Sequence, residues 1–89
     1  MKYKITYTKR FEKRLKKLSA IEKKQIKAKV ELLADNPLHP SLRTKRIQGT
    51  DHLFECSVNM DIRIIWCYEG DELIILLDVG HHAILDRFS

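Results

Sequence analysis

The chain has 89 residues, of which 17 are lysine or arginine and 12 are aspartate or glutamate. A chain of this length supports only one hydrophobic core, which predicts a single domain over residues 1–89 and leaves no room for a regulatory domain. No apolar run approaches the ~18 residues of a transmembrane helix, and no N-terminal apolar segment resembles a signal peptide. We therefore expect a cytoplasmic protein without a membrane partner.

The N-terminal part of the chain predicts a strand followed by two helices. Residues 2–8 alternate polar and apolar side chains, as a half-buried strand does, and Thr8 can cap the helix that follows. Apolar side chains then recur at helical spacing, at Phe11, Leu15 and Leu18. Ser19 and Glu22 have the spacing of a capping box, and the second helix that they begin must stop before Pro37. The two helices are therefore expected to form a hairpin.

The C-terminal half predicts a meander of strands. Residues 38–49 form a connector without clean periodicity, and strands are expected over residues 53–58, 62–69 and 72–79. The last strand is an almost continuous apolar run, which is typical of an interior strand. This order predicts an α+β domain in which a strand and an α-helical hairpin precede a three-stranded antiparallel meander. The sheet packs on the helices, and the first strand lies at its edge or beside the last strand.

The cysteines and histidines do not have the spacing of a metal site. Cys56 and Cys67 fall in apolar segments and are interpreted as buried and reduced, which agrees with a cytoplasmic location. A histidine site would require His39, His52 and the pair at 81–82 to converge from separate parts of the chain. No metal is therefore expected.

An arginine interrupts one of the apolar strands. Arg63 lies within the run from Ile62 to Trp66, and arginine is rarely buried without a partner. Its side chain could reach solvent at the rim of the sheet, or pair with Asp61 or Glu55. Alternatively, its planar guanidinium could bind a phosphate.

Two histidines end the last predicted strand. His81 and His82 follow Gly80, and adjacent residues of an extended chain point to opposite faces, so only one is expected to face a given cleft. The pKa of histidine suits proton transfer near neutral pH, and an arginine with a histidine can cleave RNA without a metal. The alternative is a histidine that only packs or forms a structural hydrogen bond.

Other residues are candidates for contacts with a polyanion. Arg43, Lys45 and Arg46 form a basic cluster that could bind an RNA backbone or remain a solvated loop. Asp61 is a possible general base, although an aspartate between strands commonly serves the turn. Phe88 could stack on an RNA base or dock onto the sheet.

Four segments carry motifs in a characteristic order. Residues 7–18 are similar to an "F-x-K-x-L-K-K-L" helix start, and residues 42–49 to an "L-K-x-L-x-G" approach to a strand. Residues 61–66 are similar to "D-Y-R-V-I-Y", and residues 77–82 to a "V-G-H-R" or "G-T-H" strand end. Together they resemble the RelE/ParE superfamily of toxins, and most closely its RelE/YafQ-like mRNA interferase branch.

The resemblance implies a toxin of a type II toxin–antitoxin system with a β-α-α-β-β-β fold. RelE-type members cut ribosome-bound mRNA without a metal or other cofactor, by attack of a 2′-hydroxyl on the adjacent phosphate. ParE-type members instead inhibit DNA gyrase, and a cognate antitoxin neutralises both kinds. The expected function is a metal-independent endoribonuclease whose partners are mRNA, the ribosome and an antitoxin. Gyrase inhibition, or an inactive module that acts as a co-repressor, are the alternatives.

The resemblance also implies roles for individual residues. Arg63 matches an arginine that stabilises phosphate charge, and His82 matches a catalytic histidine of the YafQ-like branch, as acid or as base. Asp61 matches an aspartate of that branch, and Lys45 falls where it has a histidine and others have a basic residue. The expected catalytic residues are Arg63, His82, Asp61, Lys45 and His81, and the expected RNA-binding residues are Arg43, Arg46 and Phe88.

Two departures from the RelE pattern favour a histidine-based mechanism. The lysines that some RelE members place on the second strand are replaced here near Glu55 and Ser57. The late tyrosine of those members falls near Asp86. A lysine-and-tyrosine mechanism is therefore not expected, and one resembling that of YafQ is.

Overall fold

The structure, a computed structural model, describes residues 2–82, and its elements follow the predicted order with one addition. No helix in this part of the chain is long and apolar enough to cross a membrane. The fold has the predicted α+β class and the helical hairpin. The elements are β1 (Lys4–Tyr7), α1 (Lys9–Lys16), α2 (Ala20–Asp35), a 3-10 turn (Pro40–Leu42), β2 (Lys45–Arg46), β3 (Phe54–Ser57), β4 (Ile62–Glu69) and β5 (Leu73–His81).

The five strands form one sheet in the order β1-β5-β4-β3-β2. β1 pairs with β5 in parallel, and the remaining neighbours are antiparallel. β5 therefore lies between β1 and β4, which confirms the interior position predicted from its apolar run. β1 lies at the edge beside the last long strand, as expected.

The added strand is β2, and the prediction of an irregular connector was wrong for its two residues. Lys45 pairs with Glu55, and Arg46 pairs with Phe54. A strand of two residues is too short to show periodicity in the sequence. Its exposed charged side chains are typical of an edge strand, where they oppose pairing with another chain.

Both helices begin with side-chain caps that were predicted. The Thr8 hydroxyl accepts a hydrogen bond from the Phe11 backbone N–H at 3.1 Å and donates one to the Leu77 carbonyl at 2.9 Å. The Ser19 hydroxyl accepts from the Glu22 N–H, and the Glu22 carboxylate accepts from the Ser19 N–H. The hydrogen bond from the Ser19 backbone lowers the pKa of Glu22, because it favours the charged carboxylate.

Alternation along β4 divides its side chains between the two faces of the sheet. Ile64 and Trp66 belong to the main core, whereas Ile65 packs with Ile47 on the opposite face. The helices therefore cover one face only. Their buried contributions to the main core are Phe11, Ile26 and Leu33.

A buried carboxylate ties α1 to β5. Asp78 is wholly buried, and its Oδ1 accepts a hydrogen bond from the Val79 N–H at 2.9 Å. Arg14 Nε lies 3.2 Å from Oδ1, and Arg10 Nε lies 3.9 Å from Oδ2. Two cations from one helix therefore offset the cost of removing this charge from water.

Replacing Asp78 with alanine should lower the free energy of unfolding by about 2 kcal/mol. The loss is smaller than for a fully buried pair, because the side chains of Arg10 and Arg14 are 56% and 28% exposed and can be hydrated. The measurement is urea unfolding. The matched control is Glu12→Ala, which removes an α1 carboxylate that faces Lys16 in solvent and should cost less than about 0.5 kcal/mol. Equal losses in the two variants would contradict the role of Asp78.

The two free cysteines differ in burial and should differ in reactivity. Cys56 is buried as predicted, whereas Cys67 is only half-buried. Burial raises the pKa of Cys56 to about 12 and also raises that of Cys67, because it disfavours the thiolate. At pH 8, iodoacetamide should therefore modify Cys67 well before Cys56, and urea should abolish the difference. Equal native rates by mass spectrometry would show that Cys56 is accessible.

Candidate active site at one end of the sheet

Arg63 is held by register near one end of the sheet. It lies opposite Ser57 on β3 and Gly80 on β5. It is two residues from Ile65, so it occupies the face that the helices leave uncovered. Its side chain is 16% exposed, so most of it is covered by neighbouring atoms and a small part reaches solvent.

The turn between β3 and β4 fixes the guanidinium of Arg63. Its Nη1 donates hydrogen bonds to the carbonyls of Asn59 at 2.7 Å, Met60 at 3.1 Å and Ile62 at 3.1 Å. Its Nε lies 4.0 Å from Glu55 Oε1. Of the partners considered for Arg63, the structure provides Glu55, together with turn carbonyls that were not predicted. Within residues 2–82 no hydrogen bond uses Nη2 of Arg63. The N–H groups of Nη2 can therefore donate to a ligand.

Asn59 organises the turn that holds Arg63. Its Oδ1 accepts from the backbone N–H groups of Asp61 and Ile62, both at 2.8 Å, and its Nδ2 donates to Gln25 Oε1 on α2 at 2.8 Å. The strands predicted over residues 53–58 and 62–69 leave residues 59–61 to connect them, but this role of Asn59 was not predicted. The available signal was the residue type, because asparagine commonly bonds the backbone of its own turn.

Glu55 is a buried acid between two cations on the uncovered face. It is 6% exposed, and its Oε1 lies 3.9 Å from Lys45 Nζ and 4.0 Å from Arg63 Nε. The two cations offset its desolvation, and it limits how far they move. Glu55 was expected as a possible partner of Arg63 and as a departure from the RelE lysines, but its contact with Lys45 was not predicted. The sequence feature that could have indicated a buried ion pair is an acidic residue within a half-apolar strand close to several basic residues.

The two histidines have different surroundings. His81 pairs with Ile62 at the end of β5, and its Nε2 lies 3.6 Å from Glu22 Oε2 at the start of α2. It therefore points to the helix-covered face, away from that of Arg63. His82 follows directly and is exposed at the same end of the sheet as Arg63.

The remaining predicted site residues are spread over this region. Asp61 is exposed in the turn beside Arg63, and Lys45 is linked to Arg63 through Glu55. Arg46 instead opposes Phe54, which packs against the main core, so it points to the other face. Arg43 is exposed after the 3-10 turn and lines a pocket together with Arg63. Phe88 lies outside the described residues.

This end of the sheet can bind an anion and exchange a proton. A fixed guanidinium supplies charge, and an exposed imidazole lies at the same end of the sheet. In residues 2–82, no three histidine, cysteine, aspartate or glutamate side chains come together as a possible metal site. The candidate chemistry of the fixed guanidinium and the exposed imidazole is phosphate binding with acid–base transfer.

Comparisons with known proteins agree with this fold. The YafQ toxin of the Escherichia coli DinJ–YafQ complex has a TM-score of 0.77 and 23% identity, with 96% of this chain and 98% of that chain covered. RelE of the Methanococcus jannaschii RelB–RelE antitoxin–toxin complex has a TM-score of 0.74 and 28% identity, covering 93% and 98%. The Staphylococcus aureus YoeB dimer has a TM-score of 0.77 at 14% identity, covering 92% and 99%.

The sequence itself also matches a family. No curated protein sequence matches the chain significantly. The family model for the bacterial toxin of type II toxin–antitoxin system, YafQ, matches residues 3–87. This match confirms the resemblance to the YafQ-like branch on which the expected function was based. The chain belongs to the YafQ family of toxins of bacterial type II toxin–antitoxin systems.

Proposed function

We propose that this toxin is a metal-independent endoribonuclease that cleaves ribosome-bound mRNA. RelE and YafQ toxins are ribosome-dependent mRNA interferases, and the chain belongs to the YafQ family. The observation that carries the proposal is the Arg63 guanidinium, which is fixed by the carbonyls of Asn59, Met60 and Ile62 at the end of the sheet where His82 is exposed. Fixed charge at the place where negative charge develops is an effective means of lowering a reaction barrier.

The proposed reaction is an internal transfer at one phosphate. The RNA 2′-oxygen bonds to phosphorus, the bond from phosphorus to the 5′-oxygen breaks, and a 2′,3′-cyclic phosphate remains. Arg63 stabilises the additional negative charge on the phosphate oxygens, and His82 donates a proton to the departing 5′-oxygen. Asp61, exposed in the turn beside Arg63, is the proposed acceptor of the 2′-hydroxyl proton. Net proton transfer is zero over this step.

Lys45 and His81 are proposed to support this chemistry from a distance. Lys45 shares Glu55 with Arg63, so it adds positive charge to the same face. His81 lies beside Glu22 on the helix-covered side, a position suited to holding the end of β5 in place. Arg43, Arg46 and Phe88 remain the proposed contacts to the rest of the RNA.

The proposed partners follow from the family and from the reaction. In the solved complexes, DinJ is bound to YafQ and RelB is bound to RelE. We infer that a cognate antitoxin neutralises this toxin in the same manner, and that residues 1–89 act as one toxin domain. We also infer that it acts in the cytoplasm, where translating ribosomes are found.

The primary test is cleavage of cellular mRNA after brief induction of the toxin in bacteria. Mapping of 5′ ends should show cuts within translated messages, and His82→Ala or Arg63→Ala should each reduce them about 100-fold or more. The control is His52→Ala, an exposed histidine before the opposite end of β3, which should cut like the wild type. Retained antitoxin binding would show that the variants fold. Growth arrest with intact mRNA would contradict the proposal and favour gyrase inhibition.

A second test concerns the turn that holds Arg63. Asn59→Ala removes the acceptor for two turn N–H groups, so the carbonyls that hold Arg63 lose their fixed positions. Cleavage of ribosome-bound mRNA should fall about 10- to 100-fold, since small misplacement of a charge-stabilising group is costly. Gln25→Ala is the matched control, because it removes only the link to α2 and leaves the turn acceptor intact. Equal loss of cleavage in both variants would assign the effect to the α2 link.

A further inference from the structure

A pocket lined by two arginines adjoins the proposed cleavage site. It has a volume of about 260 Å³ and lies between the 3-10 turn and the β3–β4 turn. Arg43 and Arg63 both line it, together with Ser41, Ser57 and Asn59. Of the described residues that line it, none is acidic. A cavity with two guanidinium groups and no carboxylate is suited to an anion.

We propose that this pocket is a second phosphate subsite, which holds the RNA phosphodiester next to the one that is cleaved. The proposal rests on the proposed function, and it adds a substrate-binding site to it. Arg63 belongs to the proposed cleavage site and also lines the pocket. Two successive phosphates of one RNA strand can therefore contact the same guanidinium. The subsite would therefore set the position of the RNA relative to His82.

The backbone of Arg43 supports a role for its side chain. Its φ of 49° and ψ of 44° lie in the left-handed region, where an L-residue is strained by roughly 1 kcal/mol or more. Among residues 2–82, the other residues with positive φ are Gly49 and Gly70. Glycine or asparagine is usual where a helix ends in this conformation. An arginine held there at a cost is expected where its guanidinium is used.

The side chain of Arg43 is available for a ligand. It is exposed, and no ion pair within residues 2–82 involves it. On the other side of the pocket, Nη1 of Arg63 is committed to turn carbonyls, which leaves Nη2 for an anion. Ser57 lies opposite Arg63 in the strand register and adds a hydroxyl donor. A phosphodiester and a carboxylate each carry one negative charge, but the phosphodiester offers ester oxygens in addition to its two charged oxygens, so it can accept from more of these donors.

The size of the pocket limits its occupant. Its volume is below the roughly 300 Å³ at which pockets for small molecules usually begin, which favours a phosphate with part of its sugar. Met60 also lines the pocket and is 91% exposed, so its thioether offers an apolar surface to an adjoining base. Phosphate, sugar and base from one nucleotide therefore each meet a suitable surface.

The test measures binding of an uncleavable RNA to the full chain. The probe is a fluorescein-labelled RNA hexanucleotide with 2′-O-methyl groups throughout, followed by fluorescence anisotropy at several salt concentrations. Arg43→Gly should weaken binding about tenfold and reduce the slope of log affinity against log salt by about 0.7, the value for one phosphate contact on a single strand. Arg43→Lys should keep the slope, since it keeps the charge. Lys27→Ala, on the exposed side of α2, is the matched control and should keep both affinity and slope.

The glycine variant separates binding from folding. Because glycine adopts the left-handed conformation without strain, Arg43→Gly should keep or raise the melting temperature while RNA affinity falls. Unchanged affinity and slope in Arg43→Gly would overturn the subsite. Equal loss of affinity in Arg43→Gly and Arg43→Lys, with lower melting temperatures, would also overturn it, because the backbone would then be the cause.

Cleavage is measured separately, so the two proposals can fail independently. Affinity that depends on Arg43 without cleavage of ribosome-bound mRNA would support the subsite and contradict the nuclease. Cleavage of mRNA together with RNA affinity that does not depend on Arg43 would support the nuclease and contradict the subsite. Loss of antitoxin binding in Arg43→Gly, with unchanged RNA affinity, would assign the pocket to an acidic protein segment and overturn the proposal.

Discussion

The buried charge of Asp78 in an interior strand is the constraint on which the arrangement of this fold depends. An uncompensated carboxylate in a core is costly, so a cation must reach it. Arg14 and Arg10 of α1 do so, which places α1 against β5 at the point where the Thr8 cap also bonds to that strand. β5 is then held by β1 on one side and by β4 on the other. Its C-terminal end, which carries the histidine pair, is thereby fixed beside Arg63.

Because side chains alternate along the strands, the two faces of the sheet differ in character. The covered face of β4 is apolar, and the opposite face carries Arg63 with its neighbours Glu55 and Lys45. A slip of one residue would exchange the faces and bury the guanidinium in the main core. Glu55 cancels part of the positive charge of this face, but it limits the movement of the side chains of Lys45 and Arg63. Glu55 therefore lowers the net positive charge of the site but keeps its two cations in place. Arg43 adds positive charge at the adjoining pocket.

The sequence predicts those features that depend on repeated local patterns. Helical spacing and the box formed by Ser19 and Glu22 locate the hairpin, and the apolar run locates β5 inside the sheet. The two-residue strand β2 has no such pattern, so the divergence of Lys45 and Arg46 to opposite faces could not be foreseen. The carbonyl partners of Arg63 likewise depend on the geometry of a turn. They are main-chain atoms, and residue types do not reveal them.

The two adjacent histidines have different surroundings because successive residues at a strand end point in different directions. His81 faces α2, where Glu22 is both a helix-capping residue and its neighbour at 3.6 Å. The hydrogen bond from Ser19 lowers the pKa of Glu22, and the charge of His81 lowers it further. Because the folded-state pKa is depressed, this contribution to stability is present above the unfolded pKa and is lost as pH falls through the folded one. When protonated, His81 can therefore still meet a charged Glu22 in moderately acidic solution and hold the strand end. His82, one residue later, is left exposed instead of facing α2.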